Sequence, residues 1–400
     1  MNALQAVTGN QARVVFVAPE TIMTNARVSQ ALCDGIWSRA LRAIVVDEAH
    51  VVYDWGCAQQ GKIKAFRPEF GKLALLRARF ASAVPLIAMS ATLCGPCLPA
   101  LIKATALGRL PLFTLDVGKE RDNCTYSIQY FHHAQSTFLD LAELLPPSPS
   151  HRNSLPKTLV FVDARNKAYA CMEALRARLP RSVADYVDAY TADMSAHQKQ
   201  AVLTDLQAGV VRVVICTEAL GMGIDLPDVD LVVQWSLPKD FKSMVQHFGR
   251  GARAAHAHAQ AVLLCDAWVD RAREAARSGT LAALSPQIQE RWGALDKDML
   301  HWLVERGCLK TAMMRLLALD FGALPPSNDL QGRPSMEVDI DSTPPPFTAR
   351  ELDGRDRIIW RRIQTTAFQH AAVSCCANCS PSNAQPRHSI VRGDDGNALA

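Results

Sequence analysis

The stretch LRAIVVDEAH, residues Leu41 to His50, decides the predicted fold. Its β-branched run, Ile44 to Val46, is typical of a buried strand in a parallel sheet. Two carboxylates, Asp47 and Glu48, follow this run directly, and ligands of such sheets bind beyond the carboxyl ends of the strands. The pair therefore stands where a phosphate-bound Mg²⁺ would lie. A strand that simply ends in solvated acids would give the same local pattern.

Length and composition limit the class of protein. The chain has 400 residues, more than one hydrophobic core usually serves, so we expect at least two domains. With 49% hydrophobic and 20% charged residues the composition is globular, and a net charge of +4 permits a nucleic-acid partner without arguing for one. No apolar run reaches the ~18 residues of a membrane span, and no secretory signal pattern is visible. We expect a soluble intracellular protein whose 12 Cys are reduced, some of them available to a metal.

Strand-like and helical segments alternate along the chain. We predict a buried strand at residues 13–18 (RVVFVA), a helix over 25–41, and a strand at 84–93 (VPLIAMSATL) that ends in Ser90-Ala91-Thr92. The hydroxyls at that end can bridge neighbouring acids or merely terminate the strand. Strands and helices alternate again over residues 158–266, which predicts two tandem parallel α/β units.

Two further clusters carry candidate chemistry. Between the first strands lie three aromatic residues around Arg67, namely Trp55, Phe66 and Phe70. Ordinary core aromatics before a helix are the alternative interpretation. The second unit offers glycines, polar groups and arginines: Thr217, Gly221, Gly223, Asp225, Gln246, Arg250 and Arg253. Hydrolysis of a nucleoside triphosphate needs carboxylates for Mg²⁺ and water, and arginines to neutralise the transferring phosphoryl. The spacing of Arg250 and Arg253 predicts that they share one helical face, which could also be a solvated basic face.

The order of these segments resembles superfamily 2 helicases, in the series FVAPE, IVVDEAH, MSATL, TLVFVDARNKA, ICTEALGMGIDLPDV and QHFGRGAR. The aromatic stretch that ends in FRPEF, together with RDNCTYSIQY, is similar to the RecQ family of ATP-dependent DNA helicases that move 3′ to 5′. The resemblance covers residues 13–320 and the CCANC stretch. It implies unwinding of duplex DNA by ATP hydrolysis with Mg²⁺.

The resemblance also implies a domain organisation. Residues 1–118 would form an incomplete first RecA-like domain, 119–270 a second RecA-like helicase C-terminal domain, 271–380 a helical zinc-binding region with a disordered insert at 323–347, and 381–400 a disordered tail. Implied partners are ATP and single-stranded and duplex DNA, with no membrane, and the oligomeric state is left open. The implied role is in DNA repair and recombination, in the nucleus if the source is eukaryotic.

Residue roles follow from the resemblance by position. Asp47 would coordinate Mg²⁺, Glu48 would activate water, and His50, Ser90 and Thr92 would couple hydrolysis to movement. The residues implied to bind nucleic acid are Trp55, Phe66, Arg67, Arg165 and Thr217. The residues implied to line the nucleotide cleft are Asp47, His50, Gly223, Asp225, Gln246, Arg250 and Arg253. The last two arginines would contact phosphate during catalysis.

Departures from the family pattern qualify this prediction. The phosphate loop G-x-x-x-x-G-K-[ST] does not precede Val14, and a near match at 56–63 follows the acidic pair and ends in Ile63, which cannot ligate Mg²⁺. We therefore predict little or no ATP hydrolysis by a front-truncated chain. The alternatives are a non-catalytic nucleic-acid-binding helicase remnant and, less favoured, an RNA helicase. The final GRAGR of the family stands here as GRGAR, with Gly and Ala exchanged.

A zinc site is a further prediction from the resemblance. The candidate ligands are Cys308, Cys375, Cys376 and Cys379, with Ser382 in the place of the family's last Cys. A structural zinc site takes four ligands, so Cys375 would have to complete the set. Free thiols are the alternative.

Overall fold

The computed structural model describes residues 3–9, 11–33, 36–57, 64–80, 84–93, 97–107, 113–116, 121, 123–221, 224–254, 257–318, 359–362 and 376. Gly223, Cys375 and Cys379 lie outside the described residues, as do the predicted insert and tail. The chain divides into two compact units: unit 1 comprises Met1–Lys119 and Leu317–Phe368, and unit 2 comprises Glu120–Leu316 and Gln369–Ala400.

The described helices are mostly short. They are α1 (Ala3–Thr8), α2 (Pro19–Thr24), α3 (Ala26–Cys33), α4 (Ile36–Ala40), α5 (Val51–Asp54), α6 (Leu73–Arg77), α7 (Cys97–Thr105), α8 (Leu139–Glu143), α9 (Arg165–Arg178), α10 (Arg181–Ala184), α11 (Ala196–Gln207), α12 (Phe241–Phe248), α13 (Ala267–Ser278), α14 (Pro286–Gly293), α15 (Lys297–Leu303) and α16 (Leu309–Leu316). Short 3₁₀ helices lie at Pro68–Lys72, Gln135–Thr137, Arg152–Ser154, Glu218–Leu220 and Leu281–Ala283. Within the part of the chain that the structure describes, no helix has the length and apolarity that crossing a bilayer requires.

The described strands form three parallel sheets. They are β1 (Ile44–Val46), β2 (Leu86–Ala88), β3 (Phe113–Asp116), β4 (Cys124–Tyr130), β5 (Thr158–Phe161), β6 (Val187–Tyr190), β7 (Val213–Cys216), β8 (Leu231–Trp235), β9 (Ala259–Cys265) and β10 (Ile359–Arg362). Unit 1 contains the pairs β1–β2 and β3–β10, and unit 2 contains one six-stranded sheet with the order β4-β9-β8-β5-β7-β6. The predicted α/β class with parallel sheets is therefore confirmed.

The sheet of unit 2 is buried along its central strands. Every residue of β5, β7 and β8 is buried, as expected when crossover helices cover both faces of a parallel sheet. Helix α9 presents Ala168, Cys171 and Leu175 at helical spacing, and all three are buried in the sheet's core. Helical spacing in the sequence predicts this face with Met172 as a fourth member, and Met172 packs partly buried against the same core.

The register of unit 2 aligns the carboxyl ends of its central strands. Phe161, the last residue of β5, pairs with Cys216 of β7 on one side and with Gln234 of β8 on the other. Polar residues that follow β5 and β7 consequently meet at one edge of the sheet.

The sheet of unit 1 is less covered. Strand β1 pairs with β2 so that Val45 lies opposite Ile87, and these side chains are 53% and 46% exposed. The core of the unit lies instead among helices, built from residues such as Ile22, Leu32, Val52, Leu73 and Leu101.

The predicted buried strand at residues 13–18 is wrong. The segment has no regular secondary structure, and Val14 and Phe16 are 69% and 95% exposed. Among the described residues no strand pairs with it, and an apolar run without a ladder partner does not become a buried strand.

The sequence of residues 360–374 also predicts a helix, and this prediction is wrong where it can be checked. Residues 359–362 form β10, which pairs in parallel with β3. Residues 363–374 lie outside the described part of the chain. Backbone pairing with an available strand overrides helical periodicity over so short a segment.

Candidate functional site

The acidic pair turns sharply at the end of β1. Glu48 adopts a left-handed backbone conformation with φ of 48°, which is uncommon for a residue with a side chain. Its amide donates a hydrogen bond to Asp47 Oδ1 over 2.9 Å. The next amide, that of Ala49, donates to the carbonyl of Met89 over 2.8 Å, which fastens the turn to the end of β2. The exposed Asp47 carboxylate thus stands at the carboxyl edge of the β1–β2 pair.

A buried imidazole connects the acidic turn to the Ser90-Ala91-Thr92 turn. His50 is only 4% exposed, and its Nδ1 lies 2.9 Å from Ser90 Oγ and 3.3 Å from Glu48 Oε2. The amide of Thr92 donates to Ser90 Oγ over 3.2 Å. The structure therefore brings together Glu48, His50, Ser90 and Thr92. A rotation of this one ring would alter the contacts of both turns.

The predicted aromatic and basic cluster forms as a unit. The ring of Trp55 meets Phe66 and Phe70 edge-on, at centroid distances of 6.0 Å and 5.6 Å. The Arg67 guanidinium carbon lies 5.1 Å from the Trp55 centroid, within the range of a cation–π contact. Phe66 is 72% exposed, so a planar ring and a cation stand together at the surface. These residues therefore form a surface cluster and not an ordinary hydrophobic core.

Backbone contact at two glycines fixes the cluster. A Cβ on Gly56 would lie 2.4 Å from the amide nitrogen of Gly71, and a Cβ on Gly71 would lie 2.5 Å from the Gly56 carbonyl oxygen. The chain before Phe66 and the chain after Phe70 can approach this closely only because both residues lack a side chain.

Sequence reasoning missed the acidic partner of Arg67. Glu20, in the first turn of α2, places Oε1 3.4 Å from Arg67 Nε. The FVAPE motif contains Glu20, but nothing in the local pattern connects it to a residue so far along the chain. The contact fixes the guanidinium beside the rings.

In unit 2, Arg165 and Thr217 reach the same sheet edge. Arg165 begins α9 after β5, and Thr217 follows β7, the neighbour of β5 in the sheet. The side chain of Arg165 is 62% exposed and lies 4.0 Å from Asp193. Its charge remains available to a ligand, since an ion pair this exposed and long is weak.

The helical arrangement predicted for the two arginines is wrong. Helix α12 ends at Phe248, and both Arg250 and Arg253 lie in the loop beyond it. Gly249 follows the helix in a right-handed conformation with φ of −62°, and the backbone turns into the left-handed region only at Ala252.

Both arginines nevertheless converge on one carbonyl. Arg250 is 6% exposed and donates to the carbonyls of Ile224, over 2.7 Å, and Gly221. Arg253 donates to Ile224 O over 3.2 Å and to Asp225 Oδ1 over 3.0 Å. The predicted residues Asp225, Arg250 and Arg253 are therefore neighbours, joined by the loop that follows Gly221.

Helix α12 contributes a buried histidine that the sequence analysis did not single out. Gln246 is half-buried, and beside it His247 stacks on Phe161 with centroids 3.9 Å apart and an interplanar angle of 7°. Its Nδ1 lies 2.7 Å from Gln234 Oε1. Burial lowers the pKa of His247 to about 4, with the charge of Arg250 acting in the same direction. The ring is neutral at physiological pH and holds α12 on the end of β5.

Two of the predicted zinc ligands are close together. Cys308 Sγ and Cys376 Sγ lie 3.8 Å apart, and Cys376 is fully buried. Two thiolates bound to one tetrahedral zinc at ~2.3 Å would be separated by about 3.8 Å. The backbone of Cys376 bridges to Tyr126 of β4, which keeps the thiol within unit 2.

The class of protein follows from a domain match. Residues 136–255, the part of unit 2 that contains the sheet edge and the arginine loop, match the helicase conserved C-terminal domain. Residues 136–255, with their parallel α/β sheet, therefore match a helicase C-terminal domain.

Curated proteins of similar sequence are ATP-dependent DNA helicases. The chain is 29% identical over 242 residues to the ATP-dependent DNA helicase Q-like 2 of Arabidopsis thaliana, covering 60% of this chain and 32% of that protein. It is 28% identical over 246 residues to the ATP-dependent DNA helicase RecQ of Haemophilus influenzae, covering 61% and 35%. The chain thus spans about a third of the length of these curated relatives. Together with the domain match, these similarities make the chain RecQ-like in sequence over about 60% of its length.

One solved helicase structure resembles part of this chain. The helicase Lhr of Mycobacterium smegmatis, whose structure was determined with single-stranded DNA and AMP-PNP, resembles the chain with a TM-score of 0.49 and 20% identity. The match covers 69% of this chain and 35% of that one.

Proposed function

We propose that the chain acts as a RecQ-family helicase, which unwinds duplex DNA in the 3′ to 5′ direction by hydrolysing ATP. The observation that carries this proposal is the buried His50, which contacts the acid of the DEAH turn and the hydroxyl of the Ser90 turn. A motor must link hydrolysis to movement, and this imidazole joins the group that would activate water to a second turn of the same unit. In a eukaryote the activity would belong to nuclear DNA repair and recombination.

The proposed hydrolytic roles follow from exposure and charge. Asp47 offers an exposed carboxylate at a strand end, and Mg²⁺ prefers such oxygen ligands and would neutralise charge on the triphosphate when bound. Glu48 would orient and deprotonate the attacking water, while His50 holds its carboxylate. In unit 2, Arg253 would exchange its contact with the exposed Asp225 for a phosphate. Arg250 would stabilise the loop that follows Gly221, because its buried guanidinium donates to the backbone carbonyls of Gly221 and Ile224.

The proposed DNA contacts combine stacking with charge. Phe66 is exposed beside Arg67, and bases of any sequence can stack on such a ring while a cation follows the phosphates. Arg165 and Thr217 would contact the strand from the carboxyl edge of the sheet in unit 2. We keep the predicted domain limits, 1–118, 119–270 and 271–380, as part of this proposal.

The proposed zinc site uses the close thiol pair. Cys308 and Cys376 have the sulfur spacing that a tetrahedral zinc requires. Cys375 and Cys379 would complete the set. Zinc there would tie the segment around Cys376 to α16 and contribute to folding, without taking part in hydrolysis.

A second candidate function is non-catalytic binding of nucleic acid. The aromatic and basic cluster needs no nucleotide to form, and both loop arginines are engaged within unit 2. Also, none of the 400 residues forms a complete G-x-x-x-x-G-K-[ST] loop. We therefore propose that this polypeptide, assayed alone, hydrolyses ATP more slowly than the ~1 s⁻¹ at the low end of typical enzymes.

Binding of labelled oligonucleotides tests the nucleic-acid part of the proposal. In fluorescence anisotropy, Arg67→Ala should weaken binding of single-stranded DNA about tenfold, the order expected for losing a stacked cation. Arg79→Ala removes an exposed arginine of unit 1 outside the cluster and is the matched control. Unchanged binding by Arg67→Ala would refute the assignment, and a clear preference for RNA over DNA of equal sequence would favour an RNA helicase.

A further inference from the structure

The loop that carries Arg250 and Arg253 has an unusual backbone. Ala252 adopts a left-handed conformation with φ of 42°, which favours glycine because a Cβ crowds the backbone there. The neighbouring Gly251 has no room for a side chain, since a Cβ would lie 2.8 Å from Ala259 Cβ and 3.3 Å from Val232 Cγ2. Glycine is thus required at 251 by packing, and alanine at 252 must be held in a conformation it disfavours.

Hydrogen bonds at both ends of Ala252 hold it. Its amide donates to the carbonyl of Val229 over 2.9 Å. Its carbonyl oxygen accepts from Arg121 Nη2 over 2.6 Å and from Asn123 Nδ2 over 2.8 Å. The restraint therefore comes from residues that precede β4, far from the loop in sequence.

Arg121 spans the whole turn. Its Nη1 donates to the carbonyl of Gly249 over 2.8 Å, and its Nη2 donates to that of Gly251 over 2.6 Å in addition to Ala252. A guanidinium presents a rigid fork of donors, so one side chain can fix successive carbonyls that would otherwise diverge. Asn123 extends the contact with a donation to Ala257 O over 2.9 Å. The bound carbonyls flank Arg250 on both sides and immediately precede Arg253.

We propose that Arg121 and Asn123 are positioning residues that set the conformation of the arginine loop, residues 249–254. In this arrangement they compensate for alanine at position 252 and hold Arg253 beside Asp225. The inference that the fixed loop strengthens nucleotide binding rests on the proposed function. The inference that Arg121 and Asn123 control the conformation of the loop does not. The carbonyl contacts of Arg121 and the left-handed Ala252 together carry the proposal.

Hydrogen exchange with mass spectrometry on the full chain tests the loop directly. In Arg121→Gln, amides of residues 249–254 should exchange about tenfold faster, as expected when a few net hydrogen bonds are lost, while those of β5 and β7 remain unchanged. Asn123→Ala should give a smaller rise at the same residues. Arg176→Gln is the matched control, because Arg176 also donates to a backbone carbonyl of unit 2, that of Val187, and lies on α9.

A second-site change separates positioning from general stability. Ala252→Gly removes the conformational strain, so the effect of Arg121→Gln on loop exchange should be clearly smaller in the Ala252→Gly background. Faster exchange throughout unit 2, or no change in the loop, would overturn the proposal. So would an effect of equal size in both backgrounds.

Nucleotide binding distinguishes this proposal from the proposed function. Affinity for fluorescent mant-ADP with Mg²⁺ should fall in Arg121→Gln and recover in part with Ala252→Gly. If the wild-type chain binds no mant-ADP, the proposed function loses support, while a local change in loop exchange still upholds the positioning role.

Discussion

The sheets of the two units begin from similar sequences and end in different environments. Strand β5 of unit 2 and strand β1 of unit 1 are both short and mainly apolar, yet Leu159 is fully buried while Val45 is 53% exposed. The difference lies in the neighbours, because β5 has a strand on each side and helices over its faces, whereas β1 pairs with β2 alone among the described strands. Burial is thus a property of the assembled sheet and not of the strand.

The comparison also separates stability from chemistry. Unit 2 supplies a continuous core, and its arginine loop is held by contacts to several backbone carbonyls. Unit 1 holds the acidic pair at the end of a small sheet. Val45 and Ile87 of this sheet are about half exposed. Each therefore contributes less to stability than the ~1.5–3 kcal/mol that full burial of such a side chain gives. The acidic pair therefore lies on the less covered of the two sheets.

The largest expected effect breaks the core of unit 2. Leu175→Ala removes a fully buried side chain between α9 and the sheet and should lower the free energy of unfolding by about 2–5 kcal/mol. Leu75→Ala makes the same chemical change at a 65% exposed position of unit 1 and should cost less than about 0.5 kcal/mol. Urea denaturation followed by circular dichroism measures both. Equal losses would show that burial of Leu175 in the core of unit 2 does not make the difference described here.

A pH effect of intermediate size should belong to unit 2. His247 has a pKa of about 4 when folded and 6.5 when exposed, so between these values the unfolded chain binds a proton that the folded chain does not. The free energy of unfolding should therefore fall as pH is lowered through this window, by up to roughly 3 kcal/mol. Urea denaturation at several pH values measures the slope. His247→Gln can still donate to Gln234 but does not titrate, and a slope unchanged in this variant would contradict the assignment.

The smallest expected effect concerns the exposed face of unit 1. Val45→Ser with Ile87→Ser should change the free energy of unfolding by less than about 1 kcal/mol. The pair should nevertheless reduce the fluorescence of an apolar dye, because it removes paired exposed side chains. Val210→Ser, at a 42% exposed position of unit 2, is the control. An equal loss of dye fluorescence in the control would show that Val45 and Ile87 do not form a distinct exposed apolar patch.

Local pattern predicted the elements of unit 2 well and the contacts of the site only in part. The buried face of α9 follows from helical spacing, and β5 and β7 follow from short apolar runs bounded by polar turns. Periodicity could not show that Phe16 has no strand partner among the described residues, or that α12 ends before Arg250, because both depend on tertiary neighbours. The contacts of Arg67 with Glu20 and of Arg121 with the arginine loop join distant parts of the chain through side chains and single carbonyls, which leave no periodic signal.

The central claim is that the DEAH turn is the hydrolytic site of a RecQ-like motor. The most direct test is ATP turnover by this polypeptide with saturating single-stranded DNA, compared between the wild type and Glu48→Gln. We predict turnover below ~1 s⁻¹ that depends on DNA and disappears in Glu48→Gln. Fast turnover abolished by Glu48→Gln would keep the site but contradict the expected impairment. Turnover that persists in Glu48→Gln would contradict the central claim.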